Sequence, residues 1–156
     1  MRPSNLLYFS IICTVFIFFS SSCERYEQHP IPSVYVNFTI NILYDPEFMR
    51  LQAQDNSMII TNNMLGILAL GYNNNGVIVY NAGDKFYAFD RTCPYDYPEN
   101  VVVESNGSNM ATCPVCGSVF VFPSMGAPTT DGPATFPLKE YKAYYNPNTG
   151  DLNVFN

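Results

Sequence analysis

The stretch Gly83-Asp-Lys-Phe-Tyr-Ala-Phe-Asp-Arg-Thr-Cys93-Pro-Tyr95 reads as a strand running into a cysteine–proline knuckle, and Thr112-Cys-Pro-Val-Cys-Gly-Ser118 reads as a second such knuckle opening onto Val119-Phe-Val-Phe122. Proline fixes φ and withholds an amide donor, so each knuckle has a constrained backbone at its tip. Outward from them the chain repeats one theme of short apolar runs punctuated by Asn and Gly. From Val34 to Ile42 the apolar residues Val34, Val36, Phe38, Ile40 and Ile42 alternate with Tyr35, Asn37, Thr39 and Asn41, the period of a strand with one buried face. Further strand-like runs are Ser57–Thr61, Gly66–Tyr72, Gly76–Tyr80, Phe86–Arg91, Val101–Glu104, Ser118–Phe122, Lys139–Tyr145 and Leu152–Phe155. The segment from Asp45-Pro46 to Asp55 leaves room for a turn of helix. Tyr72 to Gly76 and Asn81 to Asp84 carry residues that tolerate positive φ, so they read as tight connections between antiparallel neighbours.

Composition agrees with that pattern. The 156 residues are 47% apolar and 13% charged, with 12 Tyr, 12 Phe, 12 Pro and no Trp, which excludes disorder and coiled coil and favours strands and turns. Many short strands with frequent turns imply an all-β sandwich or barrel. The formal charge of −6 argues against nucleic acid as a partner, because phosphates need Lys and Arg. No P-loop and no Gly-x-Ser-x-Gly elbow occurs, and the acidic residues Asp84, Asp90, Asp96 and Glu99 show no paired spacing of hydrolase type.

The N-terminus has a different character. Arg2 precedes an uncharged run from Leu6 to Phe19, whose 14 residues make about 21 Å of helix, short of the roughly 30 Å hydrocarbon core. This is the h-region of a signal peptide, and Ser20-Ser-Ser-Cys23 after it resembles the lipobox of bacterial lipoproteins. The expected organisation is a lipoprotein signal over 1–22, a polar tether over 23–33 and one domain over 34–156, with Cys23 lipidated and the protein held on the membrane of the bacterial cell envelope. His29, the only histidine, is expected as a solvated residue of the tether. Of five cysteines, Cys13 leaves with the signal and Cys23 is acylated, so three remain in an oxidising compartment.

The strand ending at Cys93, the segment Cys113-Pro-Val-Cys-Gly-Ser-Val-Phe120 and the run Gly132-Pro-Ala-Thr-Phe-Pro-Leu-Lys-Glu-Tyr141 together resemble the Rieske iron–sulfur domain. The resemblance covers about half the chain, and it implies an antiparallel β-sandwich with a small cluster-binding subdomain over about 83–141. It also implies ligand positions: Cys93 and Cys113 stand where the family has cysteines, while Tyr95 and Cys116 stand where it has histidines. A Rieske centre needs two histidines on one iron. His29 lies outside the domain, so an ordinary Rieske cluster is not expected. In the family's geometry Gly117 lets the backbone approach the cluster.

Three fates follow for the thiols. The leading one is a metal-free site in which Cys93 and Cys113 form a disulfide, with Cys113–Cys116 as the other pairing. The second is zinc or a [2Fe-2S] cluster held by Cys93, Cys113 and Cys116 with an oxygen from Tyr95 or Asp96, since soft sulfur selects these metals. The third is thiol–disulfide exchange through the Cys-x-x-Cys spacing. The expectation is therefore a non-catalytic scaffold or binding protein with no catalytic residue and no cofactor; the alternatives are an electron-transfer or oxidoreductase component and a thiol–disulfide partner.

Overall fold

The structure is a computed structural model, in which residues 28–156 are described. The expected signal segment, Cys13, Cys23 and the first residues of the expected tether lie outside the described residues. Two antiparallel sheets make up the domain. The larger has six strands in the order β1-β10-β9-β4-β3-β2, with β1 at Asn37–Asn41, β2 at Ser57–Ile60, β3 at Val77–Asn81, β4 at Phe86–Asp90, β9 at Glu140–Asn146 and β10 at Asp151–Phe155. The smaller runs β5-β6-β7-β8, with β5 at Glu104–Ser105, β6 at Met110–Thr112, β7 at Val119–Val121 and β8 at Ala127–Pro128. The all-β antiparallel architecture and the small inserted subdomain are as the sequence implied.

Strand β3 explains how the two parts join. All five of its residues are buried, because each face of the strand has a core against it. Val77 and Val79 point into the first core, with Phe38, Ile40, Leu51, Ala88, Leu152 and Val154. Ile78 and Tyr80 point the other way, with Phe89, Val103, Phe120, Phe122 and Leu138 around them. A continuous apolar run rather than an alternating one is what burial on both faces requires. On β1 only one face is covered, and Phe38 and Ile40 alternate with exposed Asn37 and Thr39. The second core is aromatic: Phe89 stacks on Phe122 at 5.7 Å between centroids, and Tyr80 meets Phe122 at 5.5 Å.

Two expectations are corrected. Gly66–Tyr72 is not a strand; it is part of the β2–β3 connection, with Leu68 99% exposed and only Leu70 buried. Apolar content alone predicted the strand, but Gly66 and Gly71 at φ of 64° and 75° bend the backbone away from any ladder. Conversely, β6 and β8 are strands of three and two residues that no apolar period announces.

The end of the expected tether is not free. Ile31 is fully buried, and Lys139 Nζ donates to Ile31 O at 2.8 Å and Ser33 Oγ at 3.1 Å. His29 is half-buried, donates from Nε2 to Pro137 O at 3.0 Å and accepts Ile31 N–H on Nδ1 at 3.1 Å. Both nitrogens are thus used by the neutral ring, and burial foremost, with the Lys139 charge adding, holds its pKa below 6.5.

Candidate metal centre

Cys93 follows β4 directly. At the end of that strand Asp90, fully buried, accepts Thr92 N–H on Oδ1 at 2.8 Å, and on Oδ2 it accepts Tyr72 N–H and the Tyr141 hydroxyl, each at 2.7 Å. One carboxylate therefore ties the β2–β3 connection, β9 and the start of the first knuckle together. Burial first, and then the neighbouring Asp90, pushes the Tyr141 phenol far up, so Tyr141 stays a donor. The knuckle itself is closed by Cys93 N–H to Val101 O at 2.9 Å.

The second knuckle connects β6 to β7. Cys113 N–H donates to Ser118 O at 2.9 Å and Gly117 N–H to Cys113 O at 3.0 Å, a tight turn that brings Cys116 back over Cys113. Gly117 sits at φ 75°, and a Cβ there would meet nothing within 4 Å. Glycine adopts that left-handed backbone without the strain a side chain would bring. A close approach of backbone to backbone occurs at Gly132, where a Cβ would lie 2.6 Å from Ser118 backbone atoms. Buried Ser118 Oγ accepts the Ala134 N–H at 3.1 Å and the Cys116 thiol at 3.2 Å, so the Gly132–Ala134 segment closes over the second knuckle.

The two knuckles bring four donors together: the Sγ atoms of Cys93, Cys113 and Cys116 and a carboxylate oxygen of Asp96 all lie within 4.8 Å of one another. Asp96 Oδ2 accepts the Cys93 thiol at 3.5 Å and the Cys113 thiol at 3.1 Å, and Cys93 and Cys116 sulfurs stand 3.8 Å apart. Cys93, Cys113 and Asp96 are buried and Cys116 is half-buried. Burial above all pushes the Cys93 and Cys113 thiols up, the Asp96 carboxylate adding to it at Cys113. Burial would also raise Asp96, but hydrogen bonds from the three thiols outweigh it and hold the carboxyl below its ordinary value. A cation entering here displaces thiol protons, so its affinity rises with pH.

Two expectations change. All three thiols are free, so neither the Cys93–Cys113 nor the Cys113–Cys116 disulfide is formed; the Asp96 carboxylate instead accepts hydrogen bonds from the Cys93 and Cys113 thiols. Tyr95 is not a donor: its side chain is 55% exposed, while the next residue turns inward. Cys116, at a family histidine position, does reach the site. The donor that the Rieske resemblance misses is Asp96, and its signal is the matched spacing of Cys93-Pro-Tyr-Asp96 and Cys113-Pro-Val-Cys116, where donors fall at i and i+3 in both knuckles.

The donors fit one cation better than a two-iron cluster. Two thiolates on one tetrahedral metal at about 2.3 Å lie roughly 3.8 Å apart, the spacing seen between Cys93 and Cys116. A two-iron cluster puts its two ligand pairs at opposite ends of a rhomb, and donors on different irons then lie farther apart than donors on one ion. The absence of any histidine among residues 34–156 also removes the nitrogen ligands a Rieske centre requires.

No protein-family model and no curated protein matches the chain. Solved structures with a similar backbone include a protein assigned as an NADH-dependent nitrite reductase small subunit from Mycobacterium tuberculosis, 16% identical, covering 80% of this chain and 97% of that one with a TM-score of 0.44. The ferredoxin of carbazole 1,9a-dioxygenase from Nocardioides aromaticivorans IC177 is 19% identical over 78% of this chain and 97% of its own, with a TM-score of 0.43. A chain of the complex of reduced oxygenase and oxidised ferredoxin in carbazole 1,9a-dioxygenase is 24% identical over 65% and 82%, with a TM-score of 0.42.

Proposed function

We propose that this chain is a lipid-anchored protein of the bacterial cell envelope whose β domain binds one tetrahedral, thiophilic metal ion, zinc in the first place, as a structural fastener rather than for catalysis. The observation that carries the reading is the convergence of Cys93, Asp96, Cys113 and Cys116 donors within 4.8 Å. Four protein donors close the coordination sphere of zinc, and closed sites are structural, since catalytic zinc keeps a position for water or substrate. The two knuckles belong to different sheets: Cys93 follows β4 of the larger one, and Cys113 and Cys116 flank the β6–β7 turn of the smaller. An ion between them clamps the subdomain to the body.

Metal analysis of protein purified without oxygen tests this directly. One zinc per chain is expected, replaceable by cobalt with the ligand-field bands of a tetrahedral sulfur-rich site. Asp96→Ala loses the ion, Asp96→Cys keeps it, and Tyr95→Phe leaves affinity unchanged. Two irons with two acid-labile sulfides per chain would overturn the single-ion reading in favour of an electron carrier. Metal-free protein with a Cys93–Cys113 disulfide would return the site to a covalent staple.

A further inference from the structure

The β2–β3 connection presents an apolar surface beside the point where the chain enters the domain. Leu68 is 99% exposed and Tyr35 81%, and exposed Ile67 and Ala69 line a shallow groove with Tyr35, Val36 and Asn37. Single exposed apolar side chains are ordinary, but a contiguous set drawn from two segments marks a contact surface.

Charge and chain path select the occupant. No Asp, Glu, Lys or Arg occurs between Glu27 and Asp45 or between Asp55 and Asp84, so both segments that build the patch are uncharged although the chain carries −6. That charge is therefore no barrier to placing this face against a lipid surface, which it would be at an acidic face. An exposed Leu and Ile with a Tyr beside them is the mixture that settles at a bilayer interface, the ring amphipathic and the aliphatic side chains buried. The anchor lies close as well. Tyr35 lies only 12 residue steps beyond Cys23, at most roughly 40 Å of extended chain at about 3.3–3.6 Å per residue. Part of that reach is used up where Ile31 and Ser33 are held by Lys139, which keeps this end of the domain near the membrane.

We propose that the Tyr35, Ile67 and Leu68 surface rests on the lipid bilayer that carries the N-terminal anchor, fixing which face of the domain points away from the membrane. This rests on the lipid-anchored part of the functional reading and is independent of the metal. A tethered weak contact needs little affinity of its own, because the anchor supplies a high effective concentration. The body then stands with the far end of β1, beyond Asn41, turned toward the aqueous phase.

The absence of tryptophan from the chain makes the test clean. Acylated full-length protein carrying Leu68→Trp is reconstituted into phosphatidylethanolamine–phosphatidylglycerol vesicles with brominated acyl chains. Tyr44→Trp, at an exposed position past the other end of β1, is the control. The expected result is at least twofold quenching and a blue-shifted emission for Leu68→Trp, with no quenching for Tyr44→Trp, in variants that melt as the parent does. Flotation with the vesicles but equal emission of the two variants would overturn the docked face and leave the anchor standing. Failure to float would overturn both. A concentration-dependent blue shift of Leu68→Trp without vesicles would overturn it by assigning the surface to a second copy of the chain.

Discussion

The two cores on either side of β3 are built differently. The first is lined along long strands: β9 has seven residues and β1, β3, β4 and β10 five each, so apolar side chains recur often enough to close it. The second lies under a sheet whose strands have two, three, three and two residues. Such strands pair few backbone groups and carry few inward side chains, so a sheet of this size is marginal unless something else holds it. What holds it here is an aromatic stack around Phe122, together with two buried thiols that face a carboxylate across the seam. The lesson is that the chemistry-bearing residues sit where the strands are shortest and backbone pairing is sparsest.

The largest expected effect is a break at that seam. If one ion is bound with free metal about 1,000-fold above its dissociation constant, removing it costs about 4 kcal/mol, on the order of 10 °C in Tm. Chelation or Cys113→Ser is expected to produce that loss, with hydrogen exchange rising first in amides of residues 104–128 while β9 and β10 stay protected. Uniform loss of protection would mean that the two cores are one cooperative unit.

Leu152→Ala probes the other side. Leu152 is fully buried in the first core, so truncation costs about 2–5 kcal/mol, yet metal stoichiometry measured on the folded variant is expected to stay at one. A drop in bound metal would show that the cores communicate through β3.

Asp90→Asn acts between the two regions. It keeps the shape but weakens charge-assisted hydrogen bonds to Thr92, Tyr72 and Tyr141, a loss of about 1–3 kcal/mol. Its separate signature is weaker metal binding through a displaced Cys93 knuckle, read by competition with a chromophoric chelator. Unchanged affinity would confine Asp90 to the fold.

The smallest effect concerns the N-terminal segment. Because the folded pKa of His29 lies below 6.5, the neutral ring is the one the fold prefers. Its contribution is complete above pH 6.5 and is lost as pH falls from there through the lowered folded value. Tm measured across that window is expected to fall with acid in the parent and to flatten in His29→Gln; parallel slopes would remove His29 as the cause.

Strand identity was legible wherever one face or both faces of a strand are apolar, as in β1 and β3. It failed at Gly66–Tyr72, where an equally apolar run is looped out by glycines and lies on the surface. The candidate site was legible in part. Cys93, Cys113 and Cys116 announce themselves by type, and the sequence left the oxygen donor open between Tyr95, at the family position, and Asp96, which the matched i and i+3 spacing of the two knuckles favours. Asp90 was visible as an acidic residue at the end of an apolar strand, without anything to say that it would accept three hydrogen bonds.

Alternation, turn residues, cysteine spacing and charge are local properties, so the amino-acid order alone determined an all-β chain with two cysteine–proline knuckles and an uncharged stretch between Asp55 and Asp84. Whether the thiols pair with each other or share a carboxylate depends on angstrom distances between atoms 3 to 23 residues apart in sequence, and no pattern along the chain encodes those. Tertiary packing decided them: β4 delivers Cys93, the β6–β7 turn delivers Cys113 and Cys116, and the backbone after Pro94 turns Asp96 inward and leaves Tyr95 in solvent.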